Sequence, residues 1–68
     1  MTRGDAIEAI KSKIDLELIN SGRVYVGKIS KENSVYGIFK FEGTELRRNE
    51  NIMVWVKPEE LFFHKSAV

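Results

Sequence analysis

The sequence predicts a mainly β fold: an N-terminal α-helix followed by a five-stranded, strongly bent antiparallel small barrel. Three observations lead there. Ile7, Ile10 and Ile14 recur at helical spacing, and from Ile14 onward the apolar positions alternate instead. Turn residues then punctuate the chain at short intervals. Finally, 68 residues are too few for two packed sheets, so one sheet must bend back on itself to enclose a core.

The helix is expected over about 5–13. Asp5 with Glu8 has the spacing of a capping box, and Thr2 with Asp5 offers the same geometry one turn earlier. Ile14, Leu16 and Leu18 alternate with Asp15 and Glu17, the pattern of a half-buried first strand. Asn20-Ser21-Gly22 is turn chemistry, with Gly22 free to take positive φ. Arg23 to Ser30 reads as the second strand, and Gly27 inside it suggests a bend or bulge. After Lys31-Glu32-Asn33-Ser34, Val35 to Phe41 reads as a third strand, apolar on both faces apart from Lys40. Glu42-Gly43-Thr44 is expected to turn the chain into a short fourth strand at 45–48, and Ile52 to Val56 into a fifth. Lys57-Pro58-Glu59-Glu60-Leu61 fits a single helical turn, with Pro where a first turn tolerates it. The expected organisation is one domain over 1–68: helix, barrel to about 56, then a turn and tail. The expected core is Ile14, Leu16, Leu18, Val24, Val26, Ile29, Ile38, Leu46, Ile52 and Val54.

Composition narrows function. The chain holds no cysteine and one histidine, which excludes disulfide staples and makes a structural zinc site a poor fit. No apolar run is long enough to span a bilayer and no signal-peptide core opens the chain, so the expectation is a soluble cytoplasmic domain. A domain this small buries only about 60% of its unfolded surface, and an oligomer is the natural source of further burial. The net charge of +1 hides an uneven distribution: −1 over 1–22, +3 over 23–48 and −1 over 49–68. The positive excess is a local patch, well short of a polybasic footprint.

Catalysis finds no constellation. His64 has no nucleophile and orienting group beside it, and Asp15/Glu17 and Glu59/Glu60 sit where solvated surface explains them. Nor is there a glycine-rich phosphate loop. No enzyme and no cofactor are expected. Binding has more material. Tyr25, Tyr36, Phe39, Phe41, Trp55, Phe62 and Phe63 interleave with Arg23, Lys28, Lys40, Arg47 and Arg48, and aromatics and arginines are what stack on unpaired bases. Core and subunit interfaces also need such bulk, so the loop-edge residues Tyr36 and Arg48 carry most of the functional signal.

The order of elements and two motifs resemble the Sm-like proteins, which include the archaeal and eukaryotic Sm and LSm proteins and the bacterial host-factor RNA chaperone. Gly22-Arg23-Val24-Tyr25-Val26-Gly27 has the glycine spacing of their first motif, and the following stretch places Asn33 at its Asp, Tyr36 at its Met and Gly37 at its Asn. Arg48-Asn49-Glu50-Asn51-Ile52 is similar to the second motif, with Asn49 where Gly is usual. The resemblance covers roughly 5–56. It implies a non-catalytic homo-oligomeric ring binding single-stranded RNA through the joints after strands two and four. The implied RNA-binding residues are Asn33, Tyr36, Arg48 and Asn51, with Tyr36 stacking, Arg48 stacking or meeting phosphate, and the asparagines shaping loops or reading base edges. Gly37 replaces the residue that reads the base, Val35 stands at the stacking position, and Arg47 replaces a hydrophobic residue. A second resemblance, of Asn51 to Leu61 to the last strand and Pro-Glu motif of TOBE domains, implies a small-ligand or protein-interaction barrel instead.

Overall fold

A computed structural model describes residues 1–64. Its order is α1 (Arg3–Ser12), β1 (Leu16–Asn20), β2 (Arg23–Asn33), β3 (Ile38–Glu45), β4 (Glu50–Val56), a 3₁₀ turn (Pro58–Glu60) and β5 (Leu61–Phe63). The fold is mainly β, a helix followed by five strands in one antiparallel sheet of order β4-β3-β2-β1-β5. The sheet is open rather than the closed barrel expected. β4 and β5 are its two edges, because β1 takes one side of the three-residue β5 and the far side of β4 has no strand beside it among the described residues.

The helix starts at the earlier of the two caps. Thr2 Oγ1 accepts from the Asp5 N–H at 3.1 Å, and the Asp5 carboxylate accepts from the Thr2 N–H at 3.1 Å. Lys13 closes the helix in the left-handed conformation. The small residues Ala6 and Ala9 are its buried face, which lets the backbone lie close to the sheet, while Ile7, Ile10 and Ile14 pack at the margin of the core.

The hairpins follow from their turn residues. Ser21 and Gly22 both have positive φ between the paired Asn20 and Arg23, as a two-residue turn matched to strand twist requires. The β2–β3 and β3–β4 connections each have four residues and end on a left-handed residue, Gly37 (φ 64°) and Asn49 (φ 54°). Where β2 and β3 cross the bend, Gly27 and Gly43 face each other. A Cβ on Gly27 would lie 1.9 Å from the Glu42 carbonyl oxygen, so no side chain fits. The register then slips between Ile29 and Lys31, a bulge that accentuates the curvature.

Three strand expectations are corrected. Residues 42–48 are not a turn and a strand: β3 runs straight through Gly43, because Thr44 and Glu45 find partners on both neighbours. The strand expected fifth is therefore β4, and the fifth strand, Leu61–Phe63, lies in the stretch expected to be tail. It is held there because Leu61 is fully buried opposite Leu18. The single turn at Pro58–Glu60 is present.

The core is Ala6, Ala9, Leu16, Leu18, Tyr25, Ile29, Phe39, Phe41, Val56 and Leu61. Of the expected core, Leu16, Leu18 and Ile29 are buried, and Ile14, Ile52 and Val54 pack against them. Val24 and Leu46 are exposed. The inner face of β2 is Tyr25-Gly27-Ile29 rather than Val24-Val26, since Tyr25 pairs with Leu18 and Ile29 with Phe41. β3 is likewise not apolar on both faces: Phe39 and Phe41 point inward, whereas Lys40, Glu42 and Thr44 form the other face. β4 keeps its two apolar faces, with Met53 and Trp55 exposed opposite Ile52, Val54 and Val56.

Two carboxylates tie surface elements together. Hydrogen bonds from Thr2, its backbone N–H foremost, hold Asp5 below the ordinary carboxyl value of 3.8, and the Lys28 ammonium does the same for Asp15. Both groups bind protons more tightly in the unfolded chain than in the folded one. Their contribution is therefore complete above pH 3.8 and is lost as pH falls further. Thermal melts at pH 7 and pH 3 are expected to show a lower midpoint at pH 3, with a smaller drop in Asp15→Asn. An Asp15→Asn variant losing as much as the parent would assign the acid sensitivity elsewhere.

Candidate nucleic-acid interface

The hairpin geometry divides the expected site residues into two pairs. Asn33 ends β2 and Tyr36 sits in the β2–β3 connection, beside the first residue of β3; Arg48 sits in the β3–β4 connection and Asn51 is the second residue of β4, paired with Thr44 near the other end of β3. Seven residue steps along β3 separate the two, or about 23 Å of extended chain. One subunit therefore does not gather the four residues into one pocket. The reason is the continuity of β3: Arg48 follows strand three, not strand four. The connection that does follow β4 is Lys57-Pro58-Glu59-Glu60, without arginine or asparagine.

At the first turn, Asn33 Oδ1 accepts from the backbone N–H groups of Val35 (3.1 Å) and Tyr36 (3.4 Å), an Asx arrangement that sets the loop. Tyr36 stands 73% exposed at its tip, next to the left-handed Gly37. A phenol ring this open, on a turn pinned by its neighbour, presents a face on which a planar group can stack. At the other end, Asn51 Oδ1 accepts from Thr44 Oγ1 at 2.7 Å, across the first rungs of the β3–β4 hairpin. In both asparagines the carbonyl oxygen is engaged locally, which leaves the amide N–H₂ of Asn33, and the amide N–H₂ with one remaining lone pair of Asn51, for a ligand.

The positive patch read over 23–48 contracts once ion pairs are drawn. Arg23 lies 3.3 Å from Glu50, Lys28 pairs with Asp15, and Lys40 reaches Glu42 at 4.0 Å. Arg47 and Arg48 have no carboxylate partner among the described residues and are both exposed. They flank a cleft of 470 Å³ between the β1–β2 and β3–β4 turns, whose lining includes Gly22, Arg23, Glu45 and Leu46. Val26 is shared with a second, more open depression of 580 Å³ on the outer face of the sheet, where Asn51 lies. Arg47 and Arg48 thus carry free positive charge over concave surface, while Lys31, exposed and likewise without a carboxylate partner among the described residues, lies away from it.

Sequence reading passed over Arg23 and Glu45 as members of this cleft. The signal for Glu45 was present: the inward alternation Phe39-Phe41-Gly43 continues onto a carboxylate, which an apolar face has no use for. Among the described residues no His/Cys/Asp/Glu cluster suited to a metal ion is found, and no helix is long and apolar enough to cross a membrane. Comparison of the chain with protein-family profiles, curated proteins and solved structures returned no match.

Proposed function

We propose that this chain is a non-catalytic, Sm-like RNA-binding protein that assembles as a homo-oligomeric ring and holds single-stranded RNA. The observation that carries the reading is the pair of uncompensated arginines, Arg47 and Arg48, over the cleft at the β3–β4 turn. Guanidinium groups without internal partners suit phosphate, which they meet as a planar fork, and they also stack on bases. Tyr36 supplies a separate stacking face at the far end of β3, so a bound strand touches two points on each subunit instead of one pocket. The resemblance of the Gly22–Gly27 stretch to the first Sm motif supports the same reading.

Self-association is supported by the two sheet edges. β4 exposes Met53 and Trp55, and β5 exposes Phe62 and Phe63, each on a strand with one unpaired side among the described residues. Apolar unpaired edges are the surfaces through which sheets join. Repetition of a weak site around a closed assembly raises the effective concentration of each further contact.

The reading is tested by titrating labelled U-rich and A-rich oligoribonucleotides at low and moderate salt. Saturable binding is expected, with a shallow salt dependence because few phosphates are neutralised per subunit. Tyr36→Ala is expected to weaken binding about 5- to 150-fold, the range of one lost stacking contact of about 1–3 kcal/mol. Arg48→Ala is expected to lower affinity for all sequences alike and reduce the salt slope by about one. Binding that neither substitution alters would move the RNA off these two turns.

A further inference from the structure

The register slip between β2 and β3 sets two like charges side by side. Carried on from Ile29 opposite Phe41, regular pairing would put Ser30 opposite Lys40; the bulge instead brings Lys31 there. Re-aiming a side chain is what a bulge does. The rung continues onto β4, where Lys40 pairs with Trp55. Because Phe39 and Phe41, on either side of Lys40, are buried on the inner face, the three side chains share the outer face of the sheet. Two ammonium groups directly across a ladder destabilise it. Among the described residues little offsets them: Lys31 has no carboxylate partner, and Lys40 meets only Glu42, at 4.0 Å, which leaves its N–H donors unused. Beside them the indole of Trp55, the single tryptophan, is 47% exposed.

We infer that this rung is a nucleotide-binding platform on the outer face, in which Lys31 and Lys40 together hold one phosphate of a single-stranded RNA and the Trp55 indole stacks on the neighbouring base. The chemistry selects that occupant. An anion set between the two ammonium groups converts their repulsion into two attractions, and its oxygens accept from the N–H groups that the protein leaves without partners. An open indole adds a planar face, and a phosphate joined to a planar ring is what a nucleotide presents. The next outward rung along β3, Lys28, Glu42 and Met53, does not compete: Lys28 is already paired with Asp15, and Glu42 brings a negative charge of its own. Lys40 is the third residue of β3 (Ile38–Glu45), so the platform lies between the Tyr36 turn and the Arg47–Arg48 turn. A bound strand thereby gains a third contact within the span that separates them. Strand pairing along the β4 edge uses its backbone groups and leaves this face open. The inference rests on the RNA reading for the identity of the strand, and the platform's own chemistry is measurable on a mononucleotide.

The experiment reads tryptophan emission, which belongs to Trp55 alone. The full chain is titrated at low salt with a U-rich oligoribonucleotide, with 5′-UMP and with poly-glutamate, and each titration is repeated on Lys31→Gln. Saturable quenching by the oligoribonucleotide and by 5′-UMP is expected, with poly-glutamate leaving the emission unchanged, because stacking needs a base. Lys31→Gln is expected to weaken binding of both and to reduce the salt slope of oligoribonucleotide binding by about one. Without ligand the same variant is expected to melt above the parent, since it removes the like-charge pair. A lysine that is only solvated surface would move neither affinity nor midpoint. Trp55→Ala, followed by anisotropy of labelled RNA, is expected to lose about 5- to 150-fold in affinity. Oligoribonucleotide binding that leaves Trp55 emission unchanged and is indifferent to Lys31→Gln overturns the platform and leaves the RNA reading on the two turns intact. Quenching by 5′-UMP that depends on Lys31, with no binding of the oligoribonucleotide, supports the platform and defeats the RNA reading. An equal response to poly-glutamate overturns the assignment to a nucleotide.

Discussion

Gly27→Ala is expected to abolish the folded state. The added Cβ would lie 1.9 Å from the Glu42 carbonyl oxygen and 2.4 Å from the Gly43 Cα, both backbone atoms of the facing strand. No rotamer relieves that contact, because a methyl group has none and the atoms it strikes cannot swing away. β2 and β3 would have to separate at the bend, losing ladder hydrogen bonds on either side and opening the core around Ile29 and Phe41, the next inward pair. Overpacking alone costs about 1–3 kcal/mol, and here the strain falls on the central pair of strands. At about 0.05–0.15 kcal/mol per residue the whole chain has only about 3–10 kcal/mol to lose. Circular dichroism and a thermal melt check it: a cooperative transition within a few degrees of the parent would show that the bend does not need the glycine pair.

The second large effect is Phe41→Ala. Phe41 is fully buried on the inner face of β3, flanked across the sheet by Ile29 on β2 and Val54 on β4. Its ring also covers the space above Gly43, two residues along the same face: a Cβ there would meet the ring at 2.6 Å. Truncation removes the ring's transfer energy and leaves a hole that the neighbouring glycine cannot fill, for a loss of about 3–5 kcal/mol. Urea denaturation should show the midpoint moving sharply down with an unchanged slope. Phe41→Leu, which retains most of the volume, is expected to lose much less. If the two substitutions cost the same, the ring's shape rather than cavity formation would be setting the stability.

How much of this was legible follows local chemistry closely. The helix, its Thr2 cap option, the Ser21-Gly22 turn, the Gly27 bend and the Pro58 turn are each dictated by residues within a few positions of one another. Such signals survive without knowledge of the partner strands. The errors arose where local preference met a long-range contact. Glu42-Gly43-Thr44 has the composition of a turn, yet Gly43 is drawn into β3 because only a glycine can face Gly27 at the bend. Phe62 and Phe63 look like a tail after a proline, yet Leu61 beside them is pulled under the sheet by Leu18. The choice of inner face on β2 had the same origin: Val24-Val26 and Tyr25-Ile29 alternate equally well, and cross-strand partners decide between them.

The candidate site inherited the first of these errors. With residues 42–48 read as a turn and strand, Arg48 followed strand four and joined Tyr36 in one site; with β3 continuous, the two stand at opposite ends of it. What that reading could not reach was the cleft itself. It depends on two hairpin turns meeting beside Glu45, and on ion pairs that consume Arg23, Lys28 and Lys40 but leave Lys31, Arg47 and Arg48 free among the described residues, with the two arginines at the cleft.

Assembly and RNA binding are measured together by sedimentation velocity, with fluorescence detection of the RNA and absorbance detection of the protein. The protein at micromolar concentration is mixed with a trace of labelled single-stranded oligoribonucleotide at low salt. The label is expected to sediment with a discrete species several times the mass of one chain. A label that stays at the sedimentation coefficient of free RNA, over a protein boundary at the mass of a monomer, would contradict it.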